Sequence, residues 1–262
     1  MTIVDAMAQK PKHSRSVLAV LWAALMVPWG MFSVGLTGLA IMIAVPFVGG
    51  KRAFFGIGKL WARQQLWLCG NSWDSAGWEN VPEEIRNGQQ SAIFMSNHQS
   101  LLDPPLLMGA IPVPAVYIAK KELKRVPFVG WAAAAAGMIF IDRGNSERAA
   151  ISLARAAEQV ARGKNVVIFP EGTRTMDGRI GKFKKGGFGL AIRAGVPIVP
   201  LVTIGGWDIL PKGALMPRRG KMSVLFGRAV HPKDYPSREA LMIEVETQIR
   251  DMADLYWARG EN

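Results

Sequence analysis

Cysteine is almost missing from these 262 residues: Cys69 stands alone, so no internal disulfide can form. With only 3 histidines, no Cys/His cluster takes zinc spacing either. A reducing compartment and a chain without a structural metal are the expectation. Acidic residues are scarce, 20 against 32 Lys and Arg, which gives a net charge of +12 and a pI near 10.1. Internal repeats and low-complexity tracts are lacking, and 50% of the residues are hydrophobic, which excludes a disordered chain or a minimal disulfide scaffold. That apolar content directs the basic charge toward an anionic membrane surface rather than nucleic acid, for which no binding module is recognised. Four basic and seven acidic residues follow position 232, a net of −3, so residues 1–232 carry +15 and the basic face belongs to the main body.

Charge is absent altogether from Val17 to Val48. A straight helix of that length would reach roughly 48 Å, beyond a hydrocarbon core of roughly 30 Å, yet two full crossings need about 40 residues. Pro28, Gly30, Gly35 and Gly38 sit near its middle, and Lys10, Lys12, Arg15, Lys51 and Arg52 flank it on both sides. Positive flanks at both ends favour both being cytoplasmic, so the expectation is a helical hairpin that turns at those residues and dips into one leaflet, with a single tilted span as the alternative. Lys51 to Leu68 mixes aromatic and basic residues, as suits a helix lying in the interface or packing on a soluble domain. The chain is therefore divided into a membrane-anchoring segment, 1–70, and a domain, 71–262.

After a turn region at Asn71–Gly77, short β-branched or apolar runs alternate with helical stretches. Residues 91–96, 115–119, 138–141, 166–169, 198–204 and 222–226 read as strands. Residues 104–110, 127–136, 146–162, 187–193 and 237–258 read as helices, with Gly163 and Gly195 as stops and Ser237 as an N-cap. This alternation predicts an α/β domain with a largely parallel sheet flanked by helices, in which ligands collect beyond the carboxyl ends of the strands.

Four loops lie at such positions. Asn97-His98-Gln99-Ser100-Leu101-Leu102-Asp103 leaves the 91–96 strand, and Asp103 precedes Pro104 and Pro105. That context makes Asp103 a natural N-cap, with the loop folding His98 back onto it. Phe169-Pro170-Glu171-Gly172-Thr173-Arg174 follows the 166–169 strand and leads into Arg179, Lys182, Lys184 and Lys185. Phe140-Ile141-Asp142-Arg143-Gly144 ends a third strand, where Asp142 and Arg143 could simply pair at the surface. Gly195-Val196-Pro197-Ile198-Val199-Pro200 reads as structural. The bland alternatives are that Asp103 only caps and His98 only hydrogen-bonds within its loop, and that the basic run after Arg174 is a solvated face.

In that order, NHQSLLD, GMIFIDR, FPEGTR and GVPIVP resemble the four signature blocks of the glycerolipid acyltransferases, most closely the bacterial 1-acylglycerol-3-phosphate (lysophosphatidate) acyltransferases. Lys120 to Trp131 is similar to a further block. The resemblance implies transfer of a fatty acyl group from acyl-CoA or acyl carrier protein to the sn-2 hydroxyl of lysophosphatidate, at the cytoplasmic face of a bacterial inner membrane and without a cofactor or metal. His98 would be the base and Asp103 its orienting acid. Glu171, Gly172, Thr173 and Arg174 would form the acceptor site, with Arg143 and Lys120 as supplementary phosphate ligands. No protein nucleophile is required, and Ser100 reads as a loop or capping hydroxyl. The alternatives are another lysolipid acceptor and a non-catalytic protein that binds anionic lipid.

Overall fold

The computed structural model describes residues 17–142, 146–214 and 216–258. Two helices come first, α1 (Val17–Val48) and α2 (Gly50–Leu68), followed by strand β1 (Asn71–Ala76) and a single helical turn, α3 (Glu83–Arg86). The alternating part runs β2 (Ile93–Ser96), α4 (Asp103–Ala110), β3 (Ala115–Lys120), α5 (Val129–Ala135), β4 (Ile139–Ile141), α6 (Ser146–Ala161), β5 (Asn165–Ile168) and α7 (Gly186–Ala194). The chain then forms β6 (Ile198–Ile204), α8 (Gly206–Ile209), β7 (Gly220–Phe226) and α9 (Arg238–Ala258). The seven strands form one sheet in the order β1-β7-β6-β2-β5-β3-β4, parallel throughout except where β7 meets β6.

Side-chain alternation along the strands explains why this sheet is covered on both faces. On β2, Ile93 and Met95 enter a core with Ala156, Val160, Phe188 and Leu241 from α6, α7 and α9, whereas Phe94 enters a second core with Leu66, Leu106 and Leu107 from α2 and α4. All are essentially inaccessible. Glycine and serine punctuate the helices as expected. Gly195 ends α7 at φ 66°, and the Ser237 hydroxyl accepts the Ala240 N–H at the start of α9.

Two expectations are corrected: the helical hairpin exists but turns elsewhere, and one turn region is a strand. First, α1 is one continuous helix through Pro28, Gly30, Gly35 and Gly38; the chain turns at Gly49, φ 80°, and α2 packs back antiparallel on α1. Trp61 and Gln65 of α2 both donate to Ser33 of α1. Gly38 serves close approach instead: a Cβ there would lie 2.8 Å from the Phe128 carbonyl oxygen, whereas one on Gly35 would meet nothing. Second, Asn71–Ala76 is not merely a turn but an edge strand paired with β7. The Lys51–Leu68 stretch packs on the domain, one of the two readings its composition allowed, with Ala53, Ala62 and Leu66 buried, while Leu60 and Trp67 remain exposed. The outer face of α1 presents Leu25, Phe32, Leu36, Ile43 and Phe47, spaced at three to four residues or multiples of that. Its Ala24–Val48 stretch is long and apolar enough to cross a membrane, and only 18% of its most apolar window is buried.

Candidate active site

Asn97 begins the site by substituting for backbone. It is fully buried just past the end of β2, and its amide accepts the Thr203 N–H at 2.8 Å and donates to the Thr203 carbonyl at 2.9 Å. These two bonds continue the β2–β6 ladder through a side chain, so the main chain is free to turn outward at His98. Leaving such groups unpaired in this interior would cost about 1–3 kcal/mol each.

The turn folds the loop onto Asp103, as its sequence predicts. His98 Nδ1 lies 2.8 Å from Asp103 Oδ2, and the same oxygen accepts the N–H groups of Gln99 and Ser100 at 2.7 Å each. Asp103 is the first residue of α4 rather than its N-cap; its carboxylate points back into the loop, not forward to the helix amides. An oxygen already accepting two backbone N–H groups carries no proton, so the Nδ1 proton belongs to the ring and the Nε2 lone pair is left to act as a base. Asp103 Oδ1 has no hydrogen-bond partner among the described residues and rests against Gly206 of α8, where a Cβ would come within 2.9 Å of it.

Aromatic stacking fixes the ring from its face. Phe169, at the end of β5, lies parallel to the imidazole with centroids 4.0 Å apart and an interplanar angle of 17°, and Tyr117 of β3 lies beyond it at 6.5 Å. Tyr117 donates to the Pro104 carbonyl at 2.6 Å, and burial, helped by the nearby Asp103 charge, pushes its phenol far above the ordinary range. The base therefore projects from a rigid wall with its side chain 17% exposed.

Of the other predicted residues, Glu171 is placed differently from expectation. It is buried, and both oxygens are taken by backbone: Oε1 accepts the His98 N–H at 2.7 Å and Oε2 accepts that of Gly181 at 2.8 Å. Burial raises its carboxyl above the usual range despite those two donors. Glu171 is thus a brace between two loops. Gly172 adopts φ 73°, a left-handed conformation that favours glycine, and the Lys184 ammonium lies 3.0 Å from where a Cβ would stand. Thr173 is exposed and receives a 3.3 Å hydrogen bond from Lys212, and Arg174 is half-buried. Lys120 is exposed at the carboxyl end of β3, on the same sheet edge as His98. Its neighbour Lys121 pairs with Asp142 at 2.6 Å. Arg143 lies outside the described residues. The Ser100 hydroxyl donates to the Leu210 carbonyl and accepts the Leu102 N–H, in keeping with its reading as a loop hydroxyl.

Sequence reasoning missed Asn97, Phe169, Gly206 and Lys212. Position at a strand end was a usable signal for the first two, whereas nothing local marks the others. Beside the stack runs an apolar cleft walled by Phe54, Phe55, Leu107, Met108, Ile111 and Tyr117, between α2 and the sheet.

An acyltransferase profile matches residues 74–204, the stretch that carries every loop just described. The chain belongs to the acyltransferase family. Two curated relatives bear the name 1-acyl-sn-glycerol-3-phosphate acyltransferase. That of Pseudomonas aeruginosa is 36% identical over 176 residues, covering 65% of this chain and 65% of its own. A chloroplastic protein of Brassica napus is 36% identical over 158 residues, covering 60% of this chain and 44% of its own. The chain thus spans between about half and two thirds of such relatives. The crystal structure of the 1-acyl-sn-glycerophosphate (LPA) acyltransferase PlsC from Thermotoga maritima shares the fold, with a TM-score of 0.78 at 24% identity over 92% of this chain and 98% of that one. This acyltransferase-family chain therefore has the mostly parallel, helix-flanked sheet expected of it, preceded by an apolar helix.

Proposed function

We propose that the protein is a 1-acylglycerol-3-phosphate O-acyltransferase, moving a fatty acyl group from acyl-CoA or acyl carrier protein to the sn-2 hydroxyl of lysophosphatidate to give phosphatidate. The observation that carries this is the 2.8 Å His98–Asp103 contact, on a residue whose own backbone is tied to the Glu171–Thr175 loop through the Glu171 carboxylate and the Thr175 N–H. The names of the relatives supply the acceptor. His98 Nε2 takes the hydroxyl proton as the oxygen attacks the thioester carbonyl, while Asp103 and the face of Phe169 stabilise the imidazolium that forms. Collapse of the tetrahedral intermediate breaks the carbon–sulfur bond, and the imidazolium returns the proton to the departing thiolate. Donor, acceptor and base balance without a covalent acyl-enzyme.

Arg174, Lys184 and Lys212, around the positive-φ turn at Gly172, supply the cationic surroundings that a phosphate monoester requires. Within this reading residues 1–70 anchor the catalytic unit, the packing of α1 at Gly38 on the Phe128 backbone supports insertion into one leaflet, and the basic residues on both flanks of the apolar run support the cytoplasmic face.

The test is thiol release from acyl-CoA and from acyl carrier protein with lysophosphatidate or lysophosphatidylcholine as acceptor. Lysophosphatidate should be preferred, and His98→Ala should lower turnover by at least ~10²-fold while the protein stays folded. Near-normal turnover in that variant would remove the base from the mechanism.

A further inference from the structure

We propose that Arg250, on the carboxyl-terminal helix and remote from every signature block, is a positioning residue for the catalytic loop. It acts through Gly181 and Glu171, and the proposal rests on the acyltransferase reading above. The connection is continuous. Arg250 Nη1 donates to the Ile180 carbonyl at 3.1 Å and Nη2 to the Gly181 carbonyl at 3.4 Å, while Glu246, one turn earlier on α9, holds the guanidinium through Nε at 3.0 Å and Nη2 at 2.7 Å. The N–H of the same Gly181 donates to Glu171, whose other oxygen receives the His98 N–H.

Residues 171–185 have no helix or strand of their own, so their position depends on such attachments. One end is fixed independently: Phe183 is buried against Phe188, and the Lys184 N–H donates to the Pro170 carbonyl. Gln99 holds the other part by donating to the Gly178 carbonyl. Between them, Ile180 and Gly181 are held from outside the loop by Arg250. The Ile180 side chain also packs on the core, but among the described residues it is the fork that holds the Gly181 carbonyl, and without it Gly181 can withdraw its N–H. A buried carboxylate then loses one of two donors, and the brace on the His98 backbone loosens. Glycine is needed at 181 because a Cβ there would stand 2.8 Å from Glu171 Oε2.

Arg250 is 41% exposed, so Arg250→Met should leave the fold intact. Its effect is read in two ways. Hydrogen exchange in peptides containing His98 and Gly181 should accelerate by about tenfold, and Arg250→Lys should restore part of the protection. In the acylation assay kcat should fall about tenfold, but in a Glu171→Gln background the same change should cost less than about twofold, because the path is already cut. Unchanged exchange at both segments, or losses that simply multiply, would overturn the proposal. Exchange needs no substrate, so it decides this inference even where thiol release fails. That failure would count against the acyltransferase reading alone.

Discussion

Exchanging Asp103 for Asn separates two things the carboxylate does, and the local geometry predicts which one survives. In the serine-protease triad the equivalent exchange costs about 10⁴ in turnover, because the amide presents its NH₂ to the imidazole and enforces the wrong tautomer. Here the atom facing His98 also faces the N–H groups of Gln99 and Ser100 at 2.7 Å. An NH₂ at that point would confront two donors besides the ring, so the amide oxygen must take it and Nδ1 keeps its proton. What is lost is charge. A hydrogen bond to a charged group contributes about 1.5–3 kcal/mol and a neutral one about 0.5–1.5, so the imidazolium loses about 1–2 kcal/mol, or roughly 5- to 30-fold in turnover. The displaced NH₂ points at Gly206, where Oδ1 had no hydrogen-bond partner among the described residues, and this costs stability by about 1–3 kcal/mol. Steady-state thiol release with thermal melting measures both. A loss near 10⁴ with the fold intact would mean that the two backbone donors do not orient residue 103. An unchanged rate would mean that its charge is irrelevant.

Phe169→Leu keeps the apolar volume but removes the parallel ring; at about 0.5–1.5 kcal/mol for such a stack, kcat should fall roughly 2- to 12-fold, and a rate equal to the parent would dismiss the stacking. Gly206→Ala should push Asp103 away from His98, since the new methyl lies 2.9 Å from both Oδ1 and the Ser100 Cβ; at least tenfold slower turnover is expected in the same assay, about 1.4 kcal/mol in barrier. Because Glu171 titrates above the ordinary carboxylate value of about 4.3, its ionised form is disfavoured by folding. Its contribution to stability is full below that value and is lost as the pH rises through the raised one. The melting deficit of Glu171→Gln relative to the parent should therefore shrink as the pH increases across that window, and a deficit that widens instead would contradict the sign of the shift.

How much of this was legible depended on whether a residue's partner lies nearby in sequence or across the fold. The alternating strands and helices announce themselves because strands such as β2 are apolar on both faces and glycines, Gly163 and Gly195, stop α6 and α7. β1 does not: Asn-Ser-Trp-Asp-Ser-Ala lies at a sheet edge with mostly exposed side chains, so it lacks both the apolar run and the alternation that mark a strand. The glycines of α1 mislead for a related reason. Glycine serves a turn and a close helix contact equally well, and only the facing Phe128 backbone says which.

Glu171 carries the same lesson into the site. Its place beside Arg174 in a loop at a strand end suggested a ligand-facing charge, yet the donors that claim it belong to His98, 73 residues earlier, and to Gly181, which Arg250 in turn holds. A motif can bring a residue close to the substrate without giving it to the substrate. The loop that carries Gly172 and Arg174 is irregular, and a buried carboxylate with two backbone donors is one of few side-chain arrangements able to tie such a loop to the base. On this argument Glu171 acts on the chemistry through the position of His98. Its replacement should therefore alter the chemical step more than the affinity for the acceptor, whereas replacing Arg174 should do the reverse.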